Sequence, residues 1–289
     1  MSFRILVNPT AGRGRAAAAL AVIEPRVGRE HVVVTAGPGH LRREARAAAD
    51  AGLERVIVAG GDGTANEALQ GLAGRRTALA ALPLGGGNDL AATLGMPPDL
   101  RAALELALAA PTRPMDLGRL GERYFALYCG IGFDGEVTRI YNEKVRWVKG
   151  GPGYAWAAIR AMVSFAPPVL RLEDDHGVVE GPMMLAVAAN ARRCGGGMQM
   201  APMAAIDDGK LELVTLDAVP RRSVLLLLAR VFRGAHLDHP KVHHRTITRL
   251  RVSSDRPLWA YGDGEPFEEI GAEPVDVAMH PRALRVVRG

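Results

Sequence analysis

The stretch Ala59-Gly60-Gly61-Asp62-Gly63-Thr64-Ala65-Asn66-Glu67 follows directly on the apolar run Arg55-Val56-Ile57-Val58 and leads into Ala68, Leu69 and Leu72. The run reads as a buried strand and the later spacing as a helix, so the glycines sit where a strand ends and a helix begins. Free backbone N–H groups and the positive end of the helix dipole can hold a phosphate at such a junction. Gly60, Gly61 and Gly63 let the backbone approach an anion with no Cβ in the way. Asp62 adds a carboxylate, which repels phosphate unless a cation lies between, and this points to Mg²⁺. The plainer alternative is a tight turn with Asp62 as a helix N-cap.

Two further loops weigh against the plain turn. Val7-Asn8-Pro9-Thr10-Ala11-Gly12-Arg13-Gly14-Arg15 follows an apolar strand at 3–7. Its Asn8 can hold its own backbone or a nucleotide hydroxyl, and Gly12 and Gly14 free the backbone before a helix. It lacks the Gly-Lys-Ser/Thr ending of a Walker A loop. Leu82-Pro83-Leu84-Gly85-Gly86-Gly87-Asn88-Asp89-Leu90 is a third strand-to-helix junction, where Asn88 or Asp89 can cap the helix. Each of these also reads as an ordinary turn when taken alone. Together they recur in an alternating pattern: strands at 3–7, 31–35, 55–58 and 78–82, helices at 15–23 (ended by Pro25), 41–51 and 64–72. Such alternation predicts a parallel sheet covered by helices on both faces. Ligands of such sheets bind at the carboxyl ends of the strands, where all three loops fall.

The pattern changes after Arg113. Strands are expected at 114–120, 123–131, 169–173, 183–189, 210–215, 246–252 and 258–261, with helices near 153–163 and 221–232. The expected organisation is a Rossmann-like α/β domain over 1–118 and an antiparallel β-sandwich domain over 119–280. A tail at about 281–289 can return to the first domain as a strand at 284–287.

The 289 residues are 48% hydrophobic and carry a net charge of +5 from 36 basic and 31 acidic residues. The excess is mild and scattered. With only 5% aromatic residues and no basic–aromatic interleaving, nucleic-acid binding is not expected, while contact with an anionic membrane surface is permitted. Cys129 and Cys194 lack metal-ligand spacing and fit a reduced, cytoplasmic protein. The chain enters a strand at once, so no signal peptide is expected. The apolar run at 224–229 is too short to span a bilayer. Flanked by Arg221, Arg222, Arg230 and Arg233, it reads as a helix packed on the sandwich, with membrane contact as the alternative. His236, His239, His243 and His244 cluster near Asp238, but Pro240 breaks any ligand spacing, so an exposed loop is expected rather than a zinc site.

The loops Asn8-Pro9-Thr10-Ala11-Gly12, Gly60-Gly61-Asp62-Gly63-Thr64 and Gly85-Gly86-Gly87-Asn88-Asp89 resemble those of the diacylglycerol kinase catalytic-domain family, which includes sphingosine and ceramide kinases. The resemblance continues through Met115-Asp116-Leu117-Gly118, the motif Gly130 to Asp134, the stretches 189–198 and 201–210, and Tyr261-Gly262-Asp263-Gly264-Glu265. It spans nearly the whole chain in order, and the soluble bacterial lipid kinases are the best match. Two positions depart from the family pattern: Gly86 stands where a threonine is common, and His40 where Asp is common.

The resemblance implies a lipid kinase using ATP and Mg²⁺, with a membrane lipid as acceptor. It places nucleotide contacts at Asn8, Pro9, Gly12, Thr35, Gly60, Gly61, Asp62, Gly63, Thr64, Asn66, Glu67, Gly85, Gly86, Asn88 and Asp89. It maps a structural Mg²⁺ to the Asp208 carboxylate and the Ala205 and Lys210 carbonyls, linked through water to Asp62 and Asp116. It makes Glu265 the favoured general base, with Asp263 as alternative or helper and Asp62 as the third catalytic carboxylate. Peripheral association with the inner membrane face and a homodimer are compatible with it. NAD kinase shares the middle glycine motif and is the second enzymatic reading. A sensor that has lost catalysis is the third, against which Asp62, Asp208, Asp263 and Glu265 argue.

Overall fold

The computed structural model describes residues 2–144 and 151–289. The chain forms two compact units, Met1–Met115 with Arg282–Gly289, and Asp116–Pro281.

The first unit alternates strands and helices: β1 (Phe3–Val7), α1 (Arg15–Val27), β2 (Val32–Val34), α2 (His40–Asp50), β3 (Arg55–Gly60), α3 (Asp62–Leu72), β4 (Ala78–Pro83), α4 (Asp89–Thr93), α5 (Leu100–Ala109) and the start of β5 (Thr112–Leu120). Strands β1 to β4 pair in parallel in the order β4-β3-β1-β2. Every residue of β3 is buried, as a central strand covered on both faces requires. On these faces α2 packs on α3, and α1 on α5. The C-terminal end of β15 (Val275–Val287) adds a parallel strand beside β4, pairing Arg285 with Ala78 and Val286 with Leu79.

Two helices depart from the expected bounds. α1 does not stop at Pro25; it runs to Val27 and ends at Gly28, whose N–H donates to the Glu24 carbonyl at 2.9 Å. Pro25 lacks the N–H for an i→i−4 bond, so the last turn of α1 is closed beyond it by the Gly28 bond to Glu24. α5 was not anticipated, although Asp99 marks its start by accepting from the Ala102 N–H at 2.9 Å.

The second unit is antiparallel. It adds β6 (Arg123–Phe125), β7 (Tyr128–Gly132), α6 (Phe133–Lys144), α7 (Gly151–Ser164), β8 (Val169–Asp174), β9 (Gly177–Ala189), β10 (Leu211–Asp217), α8 (Arg221–Val231), β11 (Val242–Ile247), β12 (Arg249–Ser254), β13 (Leu258–Gly262) and β14 (Glu265–Ile270). One sheet runs β6-β5-β15-β12-β8 to the first half of β9. The other runs β14-β13-β7, then the second half of β9, then β10-β11. β9 changes sheets at Pro182–Met183: Pro182 pairs with Val169, and Met183 with Asp217. Phe125, Leu172, Leu213, Val252 and Phe267 belong to the buried core of this unit. The expected single strand at 246–252 is two strands broken at Thr248, because β11 serves one sheet and β12 the other. The break is held by Asp175, whose Oδ2 accepts from the Thr248 N–H and hydroxyl at 2.5 and 2.9 Å. The expected strand at 123–131 is likewise interrupted at Ala126 and Leu127, and α6 follows it unanticipated.

Gly71 sets how closely α2 and α3 approach. A Cβ at this position lies 2.5 Å from the Arg42 carbonyl oxygen and 3.1 Å from the Arg46 nitrogen, both backbone atoms that cannot swing aside. Alanine favours a helix by about 1 kcal/mol over glycine, but overpacking costs roughly 1–3 kcal/mol. Gly71→Ala is therefore expected to lower the unfolding free energy in urea titration. A gain in stability would show that the two helices are not in tight contact.

Candidate functional site

The three glycine loops of the first unit are stitched to one another. Asn8 forms an Asx turn, its Oδ1 accepting from the Thr10 N–H at 3.0 Å and hydroxyl at 2.8 Å. Its Nδ2 donates to Thr64 Oγ1 at 3.0 Å, tying the first loop to the start of α3. Pro9 is exposed beside it. Gly12 has φ 62°, and a Cβ there runs into the Leu84 carbonyl, so the first loop rests directly on the third. Arg15 fixes that contact by donating from Nη2 to the carbonyls of Leu84 at 2.8 Å and Gly85 at 2.9 Å. Nothing in the local sequence distinguishes Arg15 from an exposed arginine.

The second and third loops meet backbone to backbone. A Cβ on Gly85 lies 2.5 Å from the Gly61 Cα, and a Cβ on Gly60 overlaps the Thr64 side chain. Asp62 is the first residue of α3, and its Oδ1 accepts from the Leu90 N–H, in the first turn of α4, at 3.1 Å. A Cβ on Gly87 lies 2.8 Å from Asp62 Oδ2, so the carboxylate faces a backbone without side-chain cover. Asn88 does not cap α4 with its side chain. It adopts φ 58° and turns back on Gly85, accepting from its N–H at 2.7 Å and donating to its carbonyl at 3.0 Å. Asp89 is buried next to it, while Gly63 and Gly86 are exposed. Gly86 brings no hydroxyl to the loop.

Three of the expected nucleotide residues are engaged in packing. Glu67 Oε1 accepts from the N–H groups of Leu41 at 3.1 Å and Arg42 at 3.3 Å, satisfying the start of α2. Asn66 is buried and accepts from Gln70 Nε2 at 3.3 Å. Thr35 is buried at the end of β2, its hydroxyl and N–H both directed to the Val7 carbonyl. His40 accepts from the Ala36 N–H at 2.9 Å through Nδ1.

In the second unit Asp116 is buried, and its Oδ2 accepts from the Gly209 N–H at 2.6 Å. This fixes the turn at 205–210, in which Asp208 Oδ1 accepts from the Lys210 N–H at 3.0 Å. Gly209 has φ 74°. Among the described residues no three His, Cys, Asp or Glu side chains are grouped to hold a metal. The turn offers instead the Asp208 and Asp116 carboxylates together with backbone carbonyls. Mg²⁺ accepts such a mixed oxygen set, so the residues present fit it.

Asp263 and Gly264 form the two-residue loop of the β13–β14 hairpin, with φ 50° and 86°. Positive φ at both positions marks the type I′ turn that Asp-Gly favours. The Asp263 carboxylate accepts three backbone N–H groups: Ala126 at 2.7 Å through Oδ2, and Leu127 at 2.8 Å and Tyr128 at 3.1 Å through Oδ1. These are the N–H groups freed where the strand breaks between β6 and β7. Glu265 begins β14, half-buried. Burial raises the Tyr261 phenol pKa; Arg139 opposes the shift, and Glu143, Glu136 and Glu265 add to it.

The same unit encloses an apolar cavity of about 710 Å³, part of it open to solvent. Its walls include Phe133 and Val137 of α6, Ala158 of α7, Leu185 of β9, and Val224 and Leu227 of α8. Two polar groups interrupt this lining, Asp134 and His236, and each holds a buried atom without a hydrogen-bond partner, Oδ2 and Nδ1. Burial alone raises the Asp134 carboxyl to about 7. Burial lowers the His236 imidazole, only partly offset by the Met200 carbonyl 3.0 Å from its Nε2 and by Asp238. His236 is thus not in an exposed loop, whereas His243 and His244 are exposed on β11. Cys129, raised by burial and by the Asp134 and Asp263 carboxylates, remains a thiol. Sequence reading missed Asp134 and His236 as a pair because 102 positions separate them.

Residues 2–120 match the diacylglycerol kinase catalytic domain, and residues 128–288 match the YegS C-terminal NAD kinase beta sandwich-like domain. A protein of Chromohalobacter salexigens named "probable lipid kinase YegS-like" is 38% identical over 78% of this chain and 73% of its own length. A diacylglycerol kinase of Mycobacterium tuberculosis is 32% identical over 98% of this chain and 94% of its own length. A crystal structure of a diacylglycerol kinase from Bacillus anthracis superposes with a TM-score of 0.82, covering 100% of this chain and 97% of that one at 22% identity, and so shares the fold. These matches define a lipid kinase, a class that uses ATP and a lipid substrate. The chain belongs to the diacylglycerol kinase-like lipid kinases, in the bacterial YegS-like branch.

The raised Asp134 carboxyl makes a signed prediction. The folded state holds this proton up to about pH 7, whereas an unfolded aspartate releases it near pH 4. The folded state therefore binds more protons between those values, and this group destabilises the fold progressively as pH rises through that window. Asp134→Asn is expected to melt close to wild type at pH 4 and at a higher temperature than wild type at pH 8. A difference in melting temperature that does not grow with pH removes the buried carboxyl from the account.

Proposed function

We propose that the chain transfers the γ-phosphoryl group of ATP to the primary hydroxyl of diacylglycerol or a closely related lipid, yielding a phosphatidic-acid-like product. The observation that carries this acceptor class is the apolar cavity of the second unit. Its walls suit an acyl chain, and Asp134 and His236 offer the few polar contacts that orient a glycerol ester or hydroxyl. A dinucleotide, the acceptor of the NAD kinase reading, has no use for such walls.

The first unit holds the nucleotide. The N–H groups at the start of α3 and the side-chain-free backbone of Gly61, Gly85 and Gly87 receive phosphate, and Asn8 and Asn88 keep the loops in place. Asp62 is the carboxylate directed to that backbone. Glu67, Asn66 and Thr35 act at one remove, by bracing α2, α3 and β2.

Glu265 is the general base for the acceptor hydroxyl. Asp263 is engaged by three N–H groups and positions the hairpin that carries Glu265. The proton of the attacking hydroxyl passes to the Glu265 carboxylate, worth roughly 10²–10⁴ in rate. Asp208, Asp116 and the carbonyls of Ala205 and Lys210 form the candidate Mg²⁺ site. When bound, a divalent ion would supply positive charge to these carboxylates and fix the turn.

Glu265→Gln keeps the size of the side chain but cannot take the proton. It is expected to lower kcat by roughly 10²–10⁴ with the KM for ATP little changed. Asp263→Asn leaves one acceptor oxygen for three donors, so it is expected to lower the melting temperature as well as the rate. If Glu265→Gln turns over normally while Asp263→Asn is folded but inactive, Asp263 is the base.

For Asp62, asparagine retains an oxygen for the Leu90 N–H but loses the charge. Asp62→Asn should melt like wild type and be nearly inactive, while Asp62→Ala should lose stability too. Near-normal turnover in Asp62→Asn would assign the carboxylate a purely structural part. Mg²⁺ should raise the melting temperature of wild type more than that of Asp208→Ala, since a bound ion stabilises the state that binds it. Equal shifts place the ion elsewhere.

A further inference from the structure

Helices α7 and α8 each have two apolar sides. Their inner sides contribute Ala158, Val224 and Leu227 to the walls of the cavity. Their outer sides expose Trp156, Ile159 and Val163 on α7, a stripe at i, i+3 and i+7, and Leu225 and Leu226 on α8. Trp156, Ile159, Val163 and Leu226 are each about half exposed, at 49, 52, 59 and 53%. A soluble surface rarely gathers apolar side chains of this size, and a patch of them marks an interaction site. The two helices touch, and Arg221 Nη2 donates to the Val163 carbonyl at 2.9 Å, which ties the start of α8 to the end of α7. Leu225 lies one turn beyond Arg221 on the same side of α8.

The charges on these helices have one sign. Arg160, Arg221, Arg222 and Arg230 are their charged residues, all exposed, and neither helix contains Asp or Glu. Apolar side chains rimmed by arginine are the composition of a surface that lies in the headgroup layer of an anionic bilayer. A second copy of this chain would bring the same arginines against themselves, which disfavours a self-interface.

We propose that the outer faces of α7 and α8 form a docking surface for an anionic lipid bilayer, placed so that the acceptor lipid leaves the membrane beside these helices and enters the cavity they line. The entry of the lipid rests on the phosphoryl-transfer reading above; the docking itself does not. Trp156, Ile159, Val163, Leu225 and Leu226 supply the inserted apolar surface. Arg160 and Arg222 meet the lipid phosphates.

The test uses the full chain and two vesicle preparations, phosphatidylcholine alone and phosphatidylcholine with phosphatidylglycerol. Wild type is expected to sediment with the mixed vesicles and to be released by salt. Ile159→Glu, Leu226→Glu and Arg222→Glu change exposed positions outside the cavity lining, and each is expected to weaken binding roughly tenfold. Val178→Glu, an exposed apolar position on β9, serves as the control and is expected to bind like wild type. Phosphorylation of a short-chain diacylglycerol dispersed as monomers should be unchanged in all four variants. Wild-type sedimentation in the three face variants overturns the proposal, as does a wild type that ignores anionic vesicles. So does a dimer in solution that Ile159→Glu splits without altering vesicle binding. If binding follows the face but no variant or wild type phosphorylates the short-chain lipid, the docking surface stands and the acceptor reading fails.

Discussion

The close approach of Gly61 and Gly85 is the constraint on which the nucleotide loops depend. Two strand-to-helix junctions from β3 and β4 touch through their main chains, and a side chain on either glycine forces them apart. The other contacts follow from that proximity. Arg15 reaches the Leu84 and Gly85 carbonyls, Asn8 reaches Thr64, and Asp62 reaches the Leu90 N–H. The result is a ring of mutually braced loops whose main chain is held in place by its own contacts. Preorganised donors favour a bound anion because little rearrangement is needed to use them.

Asp62 serves two ends at once. One carboxylate oxygen satisfies the first turn of α4, a helix of five residues, too short to be stable without tertiary support. The other oxygen faces Gly87. A single residue thus couples the shape of the third loop to the charge presented beside it.

The second unit repeats this economy with Asp263. Its strand pair breaks between β6 and β7, and a break leaves N–H groups that need acceptors. The Asp-Gly hairpin loop supplies them from another part of the sheet and, in doing so, sets the start of β14 where Glu265 stands. The apolar cavity obeys a different rule. Its two polar residues remain with unpartnered atoms, and buried polar groups left in that condition are costly unless a ligand or water satisfies them. Within this unit a carboxyl and an imidazole, both biased toward their neutral forms, are compatible with an apolar chain in a way that charged groups are not.

Local patterning determined much of this protein. Strand–helix alternation specified the parallel sheet, the run of short strands specified the sandwich, and glycines at the ends of β3 and β4 marked the loops that meet backbone to backbone, because burial periodicity and the need for a bare backbone are both properties of adjacent residues. The tertiary structure decided what partner each polar side chain takes. Glu67 stands in the glycine motif yet satisfies α2, and Asn88 stands before α4 yet closes its own loop. Asp134 and His236 face one cavity from positions far apart in the chain, and Thr248 splits an apparently continuous strand between two sheets. Spacing in the chain reports which face of an element is buried; which distant donor or carboxylate lies opposite that face is set by how the elements pack, and no local pattern carries it.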